Sequence, residues 1–360
     1  MKIESTGLKM HSNDTNVING AGSEKNPEIK THIGKWAKIE GLPIILVFLG
    51  LIGVFMIAAP KTFLSYYIYM SFLSTIPPPL ILGLGLTLII AGGEIDLSFP
   101  SIIAFAGFIF AYLFKNYQWT WAAFMLTILA GIIIGLINGL IITKIGMPSI
   151  IATLSTGFFW TGLTVVFSGG LSYNIAELEK LNIYEAFVHR IGGIFPVQSL
   201  WALGLTVILW FVLNRSAFGE HILFMGDNLQ VAKVVGINVD RTKIVLFVLM
   251  GALSAFAGLL LTIENTTFWA TQGSGFLLIV MAAVFIGGTS IFGGQGVIVG
   301  TFFGSFIVGS IEAGIVATGI QGFYTRLVVG LVLLIAISFH LFMEKPDKRA
   351  TIVNFFKFNK

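Results

Sequence analysis

Ten apolar stretches recur along this 360-residue chain, most of them close to the length that crosses a lipid bilayer, and no other feature restricts the fold as much. A helix needs roughly 20 apolar residues to cross the hydrocarbon core. Helices and closed barrels alone satisfy every peptide group there without water. The stretches lie at 41–59, 78–91, 101–114, 119–142, 150–167, 200–213, 244–263, 276–286, 297–317 and 324–343. The second and eighth are short and run into Gly-rich segments. The expected fold is an all-α polytopic membrane protein of about ten transmembrane helices with Gly-rich broken-helix segments. Its membrane domain covers 41–343, with an insert at 168–199 and a polar loop at 214–243 between spans. Polar tails occupy 1–40 and 344–360.

Composition supports this and removes the alternatives. Only 11% of the residues are charged, against about 25% in an average soluble domain, so neither a soluble globular enzyme nor a disordered chain fits. The 42 glycines suit close helix packing in lipid. The first 40 residues contain no apolar run followed by a small-residue cleavage site and read as a solvated tail rather than a cleaved leader. Placing both termini in the cytoplasm puts sixteen of the 21 Lys and Arg there, among them Lys144, Arg215, Lys233, Arg241 and Lys243. Lys61, Lys115, Lys180, Arg190 and Arg326 fall outside. This is the positive-inside asymmetry, so the net charge of +4 reflects topology and not a nucleic-acid surface. In the external insert, Leu178, Leu181, Tyr184 and Val188 recur at helical spacing and predict an amphipathic helix on the outer membrane surface.

Catalytic chemistry finds little support. Cys is absent, and His11, His32, His189, His221 and His340 are too scattered for a metal site. The one Gly-Lys pair, Gly34-Lys35, lacks the flanking residues of a phosphate-binding loop. Ser290 and Ser274 stand in Gly-rich contexts, yet only His340 near a helix end could partner them.

Three features point elsewhere. Gly-rich interruptions break the apolar pattern at 91–98 and 287–296, bringing in Ser98, Thr289 and Ser290. Unwound backbone at membrane depth is tolerated where it is buried in protein or lines a cavity, as in transporters. Four carboxylates, Glu94, Asp96, Glu264 and Glu312, lie in or beside apolar spans and must face protein, water or the interface. Asp96 and Glu94 also suit the start of the helix that follows Ser98. In the polar loop, Asn228 is an expected N-cap and Gly236 an expected C′ residue of a two-turn helix. Leu229, Val231, Ala232 and Val235 make that helix apolar on one side, which suits a partner's groove or packing on its own membrane domain.

Together these residues resemble the permease subunits of ribose/xylose-type ABC sugar importers. Gly93-Glu-Ile-Asp-Leu-Ser98 is similar to that family's Gly-x-Asp-Leu-Ser signature, and Asn138-Gly139 and Ile151-Ala-Thr-Leu154 follow in order. Gly226-x-Asn228, Ala232 and Gly236-Ile-Asn238 resemble its loop segment; Gly287-Gly-Thr-Ser-x-x-Gly-Gly-x-Gly296 is similar to its most specific stretch. Two positions depart. Phe99-Pro100-Ser101 replaces the usual Val-Gly-Ser, and Leu277 and Ile279 stand where the family usually has Glu and Asp. The resemblance implies a multi-pass bacterial inner-membrane subunit that is not itself an enzyme. It would work with a second permease chain, identical or different, a cytoplasmic ATP-binding subunit carrying ATP and Mg, and a periplasmic sugar-binding protein. The 226–236 segment would dock on the ATPase. The competing expectation is a proton-coupled secondary carrier using Glu264 or Glu312. The topology predicts that cysteines placed at Lys180 or Arg190 react with impermeant thiol reagents from outside intact cells, while one at Lys233 stays protected; the opposite labelling pattern would invert it.

Overall fold

In the computed structural model, residues 41–344 are described; the tail assignments at 1–40 and 345–360 lie outside them. Each of the ten apolar stretches contains a helix. The order opens with α1 (Leu42–Ala58), α2 (Pro60–Phe63), α3 (Tyr66–Thr75), α4 (Pro77–Ala91), α5 (Phe99–Tyr117) and α6 (Trp121–Leu140), which a π turn extends through Ile145. It continues with α7 (Ser149–Ser168), α8 (Asn182–Phe187), α9 (Gln198–Arg215), α10 (Ala217–Asp227), α11 (Leu229–Val234) and α12 (Val239–Glu264). The last three are α13 (Phe276–Ile286), α14 (Ile298–Ala317) and α15 (Thr325–Glu344).

Length and composition allow α5, α6 with its extension, α7, α9, α12 and α14 to cross a membrane singly, and α3 with α4, bent by 50°, to cross as a seventh span. The bend falls where Pro77, Pro78 and Pro79 open α4. Proline has no N–H to donate, so it is accepted in a first turn and not in a helix interior. Among the described residues these criteria match six or seven of the ten expected crossings; α1 has 17 residues, α13 only 11, and α15, with 20, is not among those matched.

The core is built on α12, which packs against α4, α5 and α6. Against α6 the approach is backbone to backbone. A Cβ on Gly131 or Gly251 would strike the carbonyl oxygen of the other, and one on Gly135 would strike the Phe247 carbonyl. Small residues every fourth position let two helices come this close, and dispersion contacts then hold them in lipid, where no hydrophobic force does. Thr87 of α4 and Thr301 of α14 share a buried hydroxyl–hydroxyl bond of 2.6 Å.

The 168–199 insert departs from its expectation. Its apolar periodicity does not make one surface helix: a 3₁₀ segment (Ala176–Lys180) and α8 are separated at Leu181, which is extended. Ile175, Leu178, Ile183, Phe187 and Val188 are buried. Phe187 stacks on Phe124 at 5.1 Å, and Trp201 Nε1 donates to the Ala186 carbonyl at 2.8 Å. β1 (Tyr173–Asn174) pairs with β4 (Thr267–Phe268), fixing the insert to the segment after α12, while β2 (Arg190–Ile191) and β3 (Phe195–Pro196) form a hairpin. Ile175, Leu178, Ile183, Phe187 and Val188 thus face protein, while Leu171, Ile191 and Ile194 stay exposed; a chain that must return between two helices buries apolar area by folding down on their ends. The Glu177 carboxyl sits below the usual carboxylate range, held charged by its own backbone amide and then by Lys115 at 3.3 Å. We call this end the insert face and the opposite end, with α10 and α11, the loop face.

Gly135→Leu should lower the thermal midpoint in detergent, since overpacking a tight contact costs about 1–3 kcal/mol. Gly162→Ala on α7, where a Cβ meets nothing within 4 Å, should leave the midpoint unchanged or raise it. Equal midpoints for the two variants would refute the α6–α12 seam.

Candidate functional site at the loop face

α4 ends at Ala91 and α5 begins at Phe99; the seven residues between them are unwound. Gly93 takes φ +78 there, a left-handed turn that favours glycine. Unwound backbone must find other partners, and the segment finds them in hydroxyls of α7 and in its own Asp96. Ile95 N–H donates to Ser149 Oγ at 3.2 Å and Leu97 N–H to Thr153 Oγ1 at 3.0 Å, both on α7. Asp96, 1% exposed, accepts from Ser98 N–H at 2.7 Å and from Ser98 Oγ at 2.6 Å through Oδ1. Asn138 of α6 donates to Ser98 Oγ at 2.8 Å. Asp96 Oδ2 and Asn138 Oδ1 are buried without a partner, so this cluster holds more acceptors than donors. Ser98 occupies the N-cap position of α5 but makes no side-chain cap; Asp96, two residues earlier, closes a turn that leads into the helix. Glu94 forms an ion pair with Lys243 in the second turn of α12.

The second Gly-rich break, between α13 and α14, lies against the first. Gly294 N–H donates to the Ala91 carbonyl at 2.8 Å. Ser290 N–H donates to the Gln295 carbonyl at 3.1 Å, Thr289 Oγ1 accepts from Val297 N–H at 3.2 Å and Ser290 Oγ accepts from Phe292 N–H at 3.2 Å, so both side chains brace the loop they sit in. Gly226 of α10 sits on both breaks. A Cβ there would collide with the Ala91 carbonyl and lie 2.5 Å from Gly294 N. A Cβ on Gly293 would in turn lie 2.7 Å from the Gly226 carbonyl and 3.0 Å from Gly93 Cα. Three segments far apart in sequence thus meet through bare backbone.

α11 leaves this contact as anticipated. Asn228 caps it, accepting from Gln230 and Val231 N–H at 3.0 and 3.1 Å, and Gly236 at φ +92 ends it. The apolar face differs from the one expected. Ala232 is fully buried against the protein's own helices, whereas Val231, Val234 and Val235 are exposed by 48%, 88% and 69%. Ala232 therefore anchors the helix. Val234, which the sequence reading left out, completes the outward patch.

The remaining carboxylates lie elsewhere. Glu264 ends α12, about 39 Å along the helix from Val239 at 1.5 Å per residue, near the insert's Arg190 and Tyr184. Burial and the Glu264 charge push the Tyr184 phenol above its ordinary value. Glu312 is exposed on α14 in a cleft of about 590 Å³ with Ser71, Thr75, Ser305, Phe276 and Ile279. Among the described residues no cluster of three or more His, Cys, Asp or Glu has the arrangement to hold a metal, and the His340 side chain lies outside the description. The sequence grouped Glu94, Asp96, Ser98, Thr289 and Ser290 with Glu264 and Glu312; the structure brings the first five to the loop face and separates the other two. Lys243 and Thr153 were missed. Lys243 lies five residues into α12, and a cation required opposite a break-borne carboxylate was the signal for it.

The chain is 31% identical to the ribose import permease protein of Escherichia coli K12 over 71% of this chain and 80% of the relative. It is 35% identical to the ribose import permease protein of Bacillus subtilis over 71% and 79%, and 30% identical to the fructose import permease protein of Rhizobium meliloti over 84% and 86%. No solved structure matches. The family model described as the branched-chain amino acid transport system / permease component matches residues 68–337, which take in both breaks, the loop between α9 and α12 and the insert. The chain belongs to that permease family.

Proposed function

We propose that this protein is the membrane subunit of an ATP-driven importer for a small sugar or sugar-like solute. It works in the bacterial inner membrane with both termini in the cytoplasm. The solute arrives on a periplasmic sugar-binding protein, ATP and Mg are bound by a cytoplasmic partner, and a second permease chain, identical or related, completes the membrane core. The observation that carries this reading is the meeting of both unwound segments with Gly226 directly behind an outward apolar helix, α11. A helix capped at Asn228, anchored by Ala232 and offering Val231, Val234 and Val235 suits a groove on a partner. Contacts through bare backbone cannot be compressed, so a push on α11 passes to the breaks.

The sugar reading draws on the relatives' substrates and on the cleft beside Glu312. Ser71, Thr75 and Ser305 supply hydroxyls there, and Phe72, Ile76 and Phe276 supply apolar surface. That mixture suits a solute with hydroxyl edges and apolar faces. Ile279, at a position the family usually fills with a carboxylate, lines the same cleft, so Glu312 is its charged residue here. The proton-coupled alternative would use Glu264, at the insert-face end of α12, or Glu312 in the cleft, and neither lies at the loop face where α11 meets both breaks.

The deciding experiment measures uptake in vesicles lacking the ATPase gene with an imposed proton gradient. No uptake is expected; sustained uptake would overturn the importer reading. Val234→Asp, which places a charge on the exposed patch without disturbing the buried Ala232, should release the ATPase on copurification while the permease elutes as a folded species. Retained ATPase with normal uptake would remove α11 as the docking element.

A further inference from the structure

Charged pairs in this protein differ sharply in setting. Lys115–Glu177 and Lys144–Asp240 are surface pairs, with side-chain exposures of 43% and 61% in the first and 61% and 50% in the second. Such pairs contribute little and are screened by salt. Lys243–Glu94 is different: the two side chains are 17% and 10% exposed, so each charge has lost most of its water and depends on the other.

The two ends of this pair belong to different parts of the protein. Glu94 sits on the unwound segment between α4 and α5, whose backbone hangs from Ser149 and Thr153 of α7. Lys243 sits at the start of α12, immediately after the docking helix. α11 and that start form one hydrogen-bonded hook. Ile237 N–H donates to the Ala232 carbonyl at 3.0 Å, and Asn238 caps α12 by accepting from Arg241 N–H at 3.0 Å. A displacement of α11 therefore carries Lys243 with it. The Gly226 contacts with Gly93 and Ala91 are steric; they resist compression and transmit a push, but they offer little resistance to separation. An ion pair resists separation, so it can also pull.

We infer that Lys243 is a positioning residue for transport: its ion pair with Glu94 couples movement of the docking helix to the unwound segment in both directions. The inference rests on the importer reading above and assigns Glu94 to this link rather than to contact with solute.

The test uses the full complex, permease with ATPase and binding protein, in proteoliposomes. Solute uptake and ATP hydrolysis are measured on the same preparation. Glu94→Gln and Lys243→Gln should each lower uptake per ATP by about tenfold or more; each leaves a mostly buried charge unpaired and so also lowers the thermal midpoint, while ATP hydrolysis by the assembled complex stays near wild type. The charge-swapped double variant, Glu94→Lys with Lys243→Glu, should recover much of the uptake per ATP. Single variants with wild-type uptake per ATP would overturn the inference, as would a swap that assembles and hydrolyses ATP yet stays uncoupled. If the single variants do not assemble, the swap decides: assembly with restored coupling supports the link, and failure of all three to assemble makes the pair a structural brace and overturns it. Failure of the importer reading is separate, since it is seen in the wild-type chain as uptake without the ATPase.

Discussion

The close contact of α6 with α12 is the interaction on which the other packing depends. Gly131, Gly135 and Gly251 bring the two backbones together where any side chain would collide with a carbonyl. In lipid, apolar surface gains little by leaving the solvent, so helices associate through dispersion at close range and through hydrogen bonds. α12 is the longest helix described, at 26 residues. With α6 fixed on one side and α4 and α5 on others, it becomes the rigid element that relates the insert face to the loop face. Lys243 lies near one end and Glu264 at the other.

The two unwound segments are held by the same requirement. Each joins two helices through residues that lack helical hydrogen bonds, and their peptide groups need other partners. The first is satisfied by hydroxyls of Ser149 and Thr153 and by the Asp96–Ser98–Asn138 chain; the second by Thr289, Ser290 and the Ala91 carbonyl. Hydrogen-bonding residues that look like a solute pathway in sequence are thus occupied in supporting backbone. In the cleft beside Glu312, Thr75 and Ser305 likewise donate to backbone carbonyls, those of Ser71 and Thr301, and their hydroxyl oxygens remain as acceptors near the exposed carboxylate. On the proposed reading the loop face would receive the force and the cleft would accommodate the solute, with α13 and α14 joining the two.

The insert and α11 show how tertiary packing turns an apolar stripe. Both carry helical periodicity; the sequence pointed the insert's stripe toward the membrane surface and left that of α11 between a partner's groove and its own membrane domain. In the insert the apolar residues fold onto the ends of α6, α9 and α12, with Phe187 against Phe124 and Trp201. In α11, Ala232 turns inward and Val234 outward. Periodicity reports which residues share a face. It carries no information on what that face meets, because the same burial is available from lipid, from a partner or from the chain itself.

By itself the sequence determined the apolar segments, the two breaks, the cap at Asn228 and the stop at Gly236, since each follows from local chemistry: hydropathy, glycine's freedom and a side-chain oxygen in reach of the next N–H groups. The glycine content pointed to close helix packing in general, but it singled out neither the Gly131-Gly135-Gly139 spacing nor α12 as its partner. Tertiary structure alone decided that Glu94 meets Lys243, that Gly226 bridges both breaks and that Glu264 stands apart from them. Those outcomes depend on which helices lie side by side. That is settled by backbone shape complementarity and by where unwound peptide groups find donors and acceptors, and both are properties of the assembled bundle rather than of any one segment.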